Sequence, residues 1–256
     1  MSVDIHSLAR RLARIESIAL LPTADSTNRL GRRVMTECLE NELPFPSAVI
    51  VALEQTAGRG RGDRGWYAPA GKGIWATTLL TRSAAELPLL PLEAALAVVR
   101  FLRERCGVES RIKWPNDIHA GGAKIAGILI EARTRETDAF VIVGVGVNVL
   151  PLGTGSPPNS TSVTEQGGTG HDVAEAIEAF VEVCDRELFR PYDPVRILEE
   201  WRSLSVHRGG DRVAFQLGPE RIDGLWDGID DLGRARILAG GEVRLISAGD
   251  LIEFRA

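Results

Sequence analysis

The chain has 256 residues, which is enough for one large domain or for a large and a small one. Its composition is typical of a globular protein, and its net charge of −5 argues against a surface that binds polyanions throughout. Three scattered cysteines fit neither a disulfide framework nor a zinc site, and they favour buried thiols in a cytoplasmic protein. Residues 1–14 are charged, so no signal peptide is predicted, and the longest apolar run, 139–150, is too short to cross a membrane.

Up to residue 107, apolar residues recur at helical spacing in some stretches and form runs rich in β-branched residues in others. These stretches predict, in order, a short amphipathic segment (7–21), a helix (24–44), two buried strands (46–56 and 73–80) and a second helix (92–107). Asp25 or Ser26 can cap the start of the first helix, and Gly107 is placed to end the second.

The next part of the chain alternates β-branched runs with glycine turns. Residues 111–149 predict three strands, with a Gly-Gly pair at the first tight turn. Residues 150–170 are rich in glycine, proline, serine and threonine and predict a loop. Two amphipathic helices are predicted at 171–189 and 194–205.

After residue 206 the pattern changes to short strands separated by glycine turns. About five such strands in roughly 50 residues predict a small β-barrel. We therefore place a domain boundary here, so that residues 1–206 form one domain and residues 207–256 form a second.

Residues 58–66, GRGRGDRGW, combine four glycines with three arginines. Three of the glycines match a dinucleotide-binding fingerprint, but the residues that follow predict a strand instead of the helix that this fingerprint requires. The tripeptide Arg61–Asp63 resembles an adhesion signal, which needs an extracellular protein, and one arginine-glycine box in an acidic chain is weak evidence for RNA binding. We interpret the stretch as a glycine-rich loop whose Arg59 and Arg61 can hold two oxyanion groups, with a solvated basic loop as the alternative.

Residues 113–118, KWPNDI, stand at a predicted strand end. Taken by themselves, Asn116 and Asp117 favour an ordinary turn. Lys124 opens the next strand and is either an exposed charge at its edge or a point charge for phosphate. Because a hairpin connects Asp117 to Lys124, their side chains can converge on one site. The alternating glycines of GVGVNV, 144–149, indicate either the close approach of a ligand or tight packing of a neighbouring strand.

Five motifs occur in the order found in one known family. They are DSTN (25–28), EQTAGRGRGDRGW (54–66), KWPNDI (113–118), KIAGIL (124–129) and GVGVNV (144–149). With these motifs the chain resembles the biotin protein ligases from about residue 20 to its end. The resemblance implies a mixed-sheet α/β (α+β) catalytic domain of the biotin/lipoate ligase type, followed by a small C-terminal SH3-like β-barrel. It also implies two reaction steps: biotin and ATP, with magnesium, give biotinyl-5′-AMP, and a lysine of a biotin carrier domain then attacks this mixed anhydride.

The resemblance assigns roles to the residues that match these motifs. The catalytic residues that it implies are Lys124, Arg59, Arg61 and Asp117. The biotin-binding residues are Ser26, Thr27, Asn28, Gln55, Arg59, Gly60, Arg61 and Lys124. The adenylate-binding residues are Arg59, Arg61, Trp66, Asn116, Lys124 and Asn148. The magnesium ligands stay unassigned. These residue types suit the chemistry, because fixed cations offset the repulsion between a carboxylate and a triphosphate.

Two features depart from the family pattern. About 20 residues precede the DSTN motif, too few for the N-terminal helix-turn-helix domain of the larger repressor members, so we expect a short form that binds no operator DNA. Asp63 places a negative charge in a loop expected to bind anions, which leaves its role and that of Arg64 open.

The partner that the resemblance implies is the biotin carboxyl carrier protein of acetyl-CoA carboxylase, in the cytoplasm, with no membrane or nucleic-acid partner. Two alternatives remain, a lipoate- or octanoate-protein ligase on the same fold and a nucleic-acid-binding module that uses the arginine-glycine loop. The KWPNDI motif and the loop favour biotin, and the net charge of −5 disfavours the nucleic-acid module. The choice between monomer and homodimer stays open.

Overall fold

A computed structural model describes residues 3–62, 64–169, 172–247 and 250–255. Its helices are α1 (Ile5–Arg11), α2 (Thr27–Glu40), α3 (Leu90–Cys106), α4 (Val173–Glu187) and α5 (Pro194–Leu204), with a 3-10 helix at Ala84–Leu89. Helix α3 ends where Gly107 adopts a left-handed conformation with a φ of 67°, as the sequence predicts. Within the described part of the chain, no helix combines the length and apolar character needed to cross a membrane.

A seven-stranded mixed sheet forms the centre of the larger part of the molecule. Its strands are β1 (Ser17–Leu21), β2 (Ala48–Ala52), β3 (Gly73–Ser83), β4 (Arg111–Lys113), β5 (Asp117–Ala120), β6 (Ala123–Arg135) and β7 (Asp138–Asn148). The strand order is β1-β2-β3-β7-β6-β5-β4, in which β1 and β2 are parallel and every other pair is antiparallel. The amphipathic segment predicted at 7–21 is thus helix α1 followed by edge strand β1.

The two faces of this sheet have different coverings, which explains the uninterrupted apolar run of β2. Val49 and Val51 belong to the main core, which includes α3 and α4, whereas Ala48 and Ile50 face the opposite side, where α2 packs. Both faces are therefore buried, and the strand carries apolar residues at every position. The candidate site described below lies on the α2 face.

A second, smaller antiparallel sheet follows helix α5. Its strands are β8 (Arg212–Leu217), β9 (Glu220–Ile229), β10 (Ala235–Ala239), β11 (Glu242–Ile246) and β12 (Asp250–Arg255), in the order β11-β10-β9-β8-β12. The prediction of five short strands in this region is confirmed. Among the described residues β11 and β12 do not pair with each other, so the sheet does not close into the β-barrel that the sequence predicts. The boundary between residues 206 and 207 stays a prediction.

The three cysteines are buried and free, as the sequence predicts. Burial raises the pKa of the Cys106 thiol to about 11 and that of the Cys184 thiol to about 12. Both groups are therefore neutral thiols at physiological pH, and they contribute to packing rather than to nucleophilic chemistry.

Candidate active site

A cavity of about 190 Å³ opens where the start of α2, the arginine-glycine loop 58–66, the turn between β4 and β5, and strands β6 and β7 meet. The structure brings eleven of the twelve predicted site residues to this cavity, namely Ser26, Thr27, Asn28, Gln55, Arg59, Gly60, Arg61, Trp66, Asn116, Asp117 and Lys124. Asn148 is the exception and does not line it. The eleven residues come from four of the five motifs, and Gly144 and Gly146 of the fifth motif also line the cavity.

The start of α2 forms a polar network at one end of the cavity. Gln55 Oε1 accepts hydrogen bonds from the Thr27 amide at 2.8 Å and from the Thr27 hydroxyl at 3.2 Å. Thr77 Oγ1 lies 2.7 Å from Asn28 Oδ1 and 2.8 Å from Thr27 Oγ1. Because Asn28 Oδ1 can only accept, the Thr77 hydroxyl donates to it. These bonds hold the side chains in fixed orientations around a pocket of neutral donors and acceptors.

Ser26 occupies the N-cap position of α2, but its side chain makes no capping hydrogen bond. The residue is almost fully buried, at 1% exposure. Asp25 Oδ1 instead accepts from the Ser26 amide at 2.6 Å, which lowers the pKa of the Asp25 carboxyl. The Ser26 hydroxyl is therefore available at the cavity instead of being used by the helix end.

The arginine-glycine loop folds back on itself as a narrow hairpin. The Trp66 amide donates to the Gly58 carbonyl at 2.9 Å, and the Gly60 amide donates to the Arg64 carbonyl at 2.7 Å. Gly62 has a φ of 58°, the left-handed conformation that favours glycine at the turn. Asp63 lies outside the described residues, so its predicted role and its relation to Arg64 stay open.

Arg61 connects this loop to the KWPNDI segment. Its Nη1 donates to Asn116 Oδ1 at 3.2 Å. Asn116 is itself fixed, because its Nδ2 donates to the Ile128 carbonyl at 2.7 Å and its carbonyl accepts from the Ile128 amide at 3.0 Å. Asn116 is therefore more than an ordinary turn residue, since it joins the loop, the β4–β5 turn and strand β6.

Lys124 and Asp117 form an ion pair at the cavity, with Nζ and Oδ1 2.6 Å apart. The side chains are 33% and 26% exposed, so the pair borders the opening instead of lying in the core. Lys124 Nζ also lies 5.2 Å from the centre of the Trp66 ring, within cation–π range. The convergence of Asp117 and Lys124 across the hairpin is thus observed, and the lysine is not a freely solvated edge charge.

The alternating glycines of β7 are explained by side-chain packing. A Cβ atom at Gly144 would lie 1.8 Å from Asn28 Oδ1, and one at Gly146 would lie 2.4 Å from Trp66 Cε2. A Cβ atom at Gly127 on the adjacent strand would also meet Trp66, at 2.8 Å from Cζ3 of its ring. Each glycine thus makes room for a side chain that lines the cavity, and these side chains come from α2 and the arginine-glycine loop instead of from a neighbouring strand.

Sequence reasoning missed three residues that the structure places at the cavity or beside it. Lys113 and Leu251 line the cavity, and Thr77 organises the network at the start of α2. Thr77 is fully buried in β3, and the signal for it was a pair of threonines inside an otherwise apolar strand. Leu251 lies in β12 of the second sheet, and no local motif indicates that it reaches the site.

Comparison with known proteins agrees with this geometry. A model of the biotin/lipoate A/B protein ligase family matches residues 20–148. The chain belongs to this family. It is 33% identical over 218 residues to the biotin–[acetyl-CoA-carboxylase] ligase of Mycobacterium tuberculosis, covering 81% of this chain and 79% of that one. It is 32% identical over 227 residues to a bifunctional ligase/repressor of Bacillus subtilis, covering 84% of this chain and 68% of that one.

The fold of this family member matches a solved biotin protein ligase. The structure of the Aquifex aeolicus enzyme in complex with biotin and ATP superposes with a TM-score of 0.70 at 26% identity. The match covers 94% of this chain and 99% of the Aquifex chain. The mixed α/β sheet and the second small sheet both fall within this match.

Charges at the cavity of this ligase-family protein are strongly asymmetric. Its described lining includes one carboxylate, Asp117, and five basic residues, Arg59, Arg61, Arg64, Lys113 and Lys124. Lys124 already neutralises Asp117, so a net positive field remains. Such a field favours a ligand with several negative oxygen atoms.

Asn148 lies behind the cavity of the ligase fold, with a buried side chain in β7. Its Nδ2 donates to the Thr161 carbonyl at 2.9 Å, while no hydrogen-bond partner of Oδ1 is found among the described residues. A buried acceptor without a partner is destabilising, so Oδ1 marks a position where a ligand donor would be stabilising. Asn148 does not line the cavity itself, and its binding of the adenylate stays a prediction.

Among the described residues, no group of three or more histidine, cysteine, aspartate or glutamate side chains is arranged to hold a metal ion. The lining residues that the structure describes include one carboxylate, Asp117, which is paired with Lys124. These residues do not fit a metal site built by the protein, so we assign no step of the reaction to magnesium.

Proposed function

We propose that this protein activates biotin with ATP to form biotinyl-5′-AMP and then transfers biotin to a lysine of a biotin carboxyl carrier protein. The observation that carries this proposal is the division of one cavity into two parts. Neutral hydrogen-bonding groups at the start of α2 form one end, and Arg59, Arg61 and Lys124 form the other. Biotin combines an apolar body and a neutral ureido group with a carboxylate, and it matches both ends.

The neutral end supplies the groups that a ureido ring needs. The Ser26 hydroxyl is not used for capping, and Gln55 Nε2 is left to donate because its Oε1 accepts from Thr27. Asn28 completes this end, held by Thr77 and by the Leu129 carbonyl at 3.1 Å. A preorganised pocket of this kind binds without reordering its side chains, which favours affinity.

The cationic end supports the adenylation step. A carboxylate oxygen of biotin attacks the α-phosphorus of ATP, the bond to the bridging oxygen breaks, and pyrophosphate leaves with the electron pair. Lys124 stabilises the negative charge on the carboxylate and the α-phosphate, and Asp117 holds the lysine in position. Arg59 and Arg61 hold the two anionic groups together against their repulsion.

The second step transfers biotin from the adenylate to the carrier. The neutral amine of the carrier lysine attacks the anhydride carbonyl, and the bond to the phosphate oxygen breaks. AMP leaves with the electron pair, and the nitrogen gives up one proton to solvent as the lysine amide forms. During this step the adenylate is held by Trp66, Asn116 and Asn148. In this proposal the Asn148 Oδ1 accepts a hydrogen bond from an amino group of the base. The acetyl-CoA carboxylase carrier belongs to the same proposal and is supported by the names of the relatives. A cytoplasmic location is proposed with it, in keeping with three buried free thiols.

Isotope exchange between ATP and pyrophosphate tests the first step directly. We expect exchange that depends on biotin and that lipoate or octanoate does not support, because the neutral end is shaped for a ureido group. Exchange with lipoate alone would replace the proposal by a lipoate ligase of the same family. Exchange with neither acid would reject adenylation of both.

The second step is tested with a purified biotin carrier domain and its variant in which the acceptor lysine is replaced by arginine. We expect biotin to appear covalently on the native domain, measured as a mass increase. Equal labelling of the arginine variant would contradict transfer to a specific lysine.

A further inference from the structure

Trp114 is held from outside the domain that contains the cavity. Its backbone amide, which is buried, donates to His207 Nε2 at 3.1 Å. Its indole Nε1 donates to the carbonyl of Gly233 at 3.1 Å, in the loop before β10. The ring also makes edge contacts with Phe215 of β8 and Trp226 of β9, with centroids 5.5 and 6.5 Å away. The second sheet therefore surrounds a residue of the KWPNDI motif.

His207 is itself fixed from several directions. Its ring stacks on Trp226 at 4.4 Å with an interplanar angle of 26°. Its backbone amide donates to Ser205 Oγ at 3.0 Å. Ser205 lies beside Ile112 of β4 in a parallel bridge, and the next amide, that of Val206, donates to the Ile112 carbonyl at 2.9 Å. The histidine thus occupies one orientation between the two sheets.

The histidine acts through a specific acceptor atom. Because the Trp114 amide can only donate, Nε2 must carry a lone pair, which places the ring proton on Nδ1. A leucine would fill much of the same space but would leave a buried amide without an acceptor. A glutamine would offer Oε1 close to the place of Nε2. The acceptor and the bulk of this residue can therefore be separated by substitution.

Trp114 is separated by one residue from Asn116 and by two residues from Asp117, the polar residues of the motif. Asn116 binds Arg61 of the loop, and Asp117 binds Lys124. Trp114 also lines the cavity, as does Leu251 of β12. A change in the position of the Trp114 backbone is transmitted through Pro115, whose ring fixes φ, directly to Asn116.

We infer that His207 is a positioning residue for adenylate formation, which ties the second sheet to Trp114 and thereby fixes Asn116 and Asp117. The inference rests on the proposed function for its catalytic readout. None of the five sequence motifs includes residue 207, and His207 reaches the cavity lining through its hydrogen bond to Trp114. Its effect on the reaction is therefore indirect and geometric.

The test compares His207→Leu, which removes the acceptor, with His207→Gln, which retains one. We expect His207→Leu to lower kcat of biotin-dependent ATP–pyrophosphate exchange about tenfold or more, because small displacements of catalytic groups have large effects on rate. The Kd of biotin should stay within about twofold, since Ser26 and Gln55 lie at the other end of the cavity. His207→Gln should recover most of kcat.

Ile246→Ala is the matched control, because it removes a buried side chain from edge strand β11 of the same sheet. It should lower stability without lowering kcat. Unchanged kcat in a folded His207→Leu variant, or an equal loss of kcat in Ile246→Ala, would overturn the inference.

Hydrogen exchange gives a readout that does not depend on biotin. His207→Leu should speed amide exchange in the peptide that contains residues 113–118, whereas Ile246→Ala should not. If His207→Leu does not fold, Ser205→Ala takes its place, because it removes only the hydroxyl that accepts from the His207 amide. We expect it to speed exchange in the same peptide. Exchange that is unchanged in these variants would reject the positioning role, whereas wild-type protein without biotin-dependent activity would reject the proposed function instead.

Discussion

At the scale of single residues, the pairing of Lys124 with Asp117 decides how the lysine acts. A lysine held 2.6 Å from a carboxylate is oriented before the substrates arrive, so little reorganisation is needed when charge develops on the phosphate. The chain has three lysines, Lys72, Lys113 and Lys124, against many more arginines. Two of the three line the cavity, which is a concentration that composition alone does not reveal.

We predict that Lys124→Ala lowers the rate of adenylation at least about a hundredfold while the protein stays folded, as expected for loss of an oxyanion stabiliser. The single variant also leaves the Asp117 carboxylate unpaired beside two anionic substrates. Lys124→Ala combined with Asp117→Asn should therefore recover part of the loss. Single-turnover formation of biotinyl-5′-AMP measures both, with Lys72→Ala as a control outside the lining. Near-normal turnover of Lys124→Ala would return the lysine to a surface role.

Two glycines of β7 lie against different ends of the cavity. A methyl group at Gly144 would displace Asn28, and one at Gly146 would displace Trp66. We predict that Gly144→Ala weakens biotin binding, whereas Gly146→Ala leaves biotin binding nearly unchanged and weakens binding of the adenylate. Calorimetric titration with biotin and with a non-hydrolysable biotinyl-5′-AMP analogue measures the two effects.

Val143→Ala is the control for the glycine pair, because this residue precedes them in β7, belongs to the main core and is not part of the cavity lining. It should affect stability more than either ligand. Equal losses for both ligands in both glycine variants would contradict the assignment of separate ends.

At the scale of elements, the arginine-glycine loop is a hairpin whose Arg61 donates a side-chain hydrogen bond to Asn116 of the β4–β5 turn. Backbone hydrogen bonds from Gly60 to Arg64 and from Trp66 to Gly58 join the two arms of the hairpin. An element of this kind can open with little disturbance of the sheet, which suits a clamp over a reactive intermediate.

We predict that Arg61→Ala increases the rate at which biotinyl-5′-AMP dissociates, because it removes both a phosphate contact and the bond that closes the loop. Asn116→Ala should act in the same direction, and the double variant should be less than additive because the two residues share one bond. Release is measured by stopped-flow fluorescence, with the tryptophan at position 66 as a reporter. Strictly additive effects would show that the two residues act independently.

At the scale of the whole molecule, the sequence predicts more of the residues that line the cavity than of the residues that pack behind them. Helices, strands and the five motifs follow from local patterns, and the motifs converge because each lies at a strand end or a helix start on one face of the sheet. The contact between His207 and Trp114 spans 93 residues and has no periodic or compositional signal. Leu251 escapes prediction for the same reason, since its place at the cavity comes from tertiary packing.

The same histidine is predicted to control the acid stability of the whole protein. Burial lowers the pKa of His207 from 6.5 to about 3, with the charges of Lys113 and His119 adding to the effect. The unfolded chain therefore binds a proton at this residue between pH 6.5 and 3, and the native protein does not. Native stability from this group is complete above pH 6.5 and is lost as pH falls toward 3, by an amount on the order of 4 kcal/mol.

Replacement of His207 by glutamine removes the titration, so the free energy of unfolding should vary less with pH between 6.5 and 4, measured by urea titration at fixed pH values. Glu93 provides a control of opposite sign. Burial raises its pKa from 4.5 to about 6, against the opposing effect of Arg82, so its contribution to stability is lost as pH rises through that range. The stability of Glu93→Gln should consequently rise more steeply with pH than that of the native protein. The stability of His207→Gln should rise less steeply. Parallel changes in the two variants would mean that neither buried group dominates the acid response.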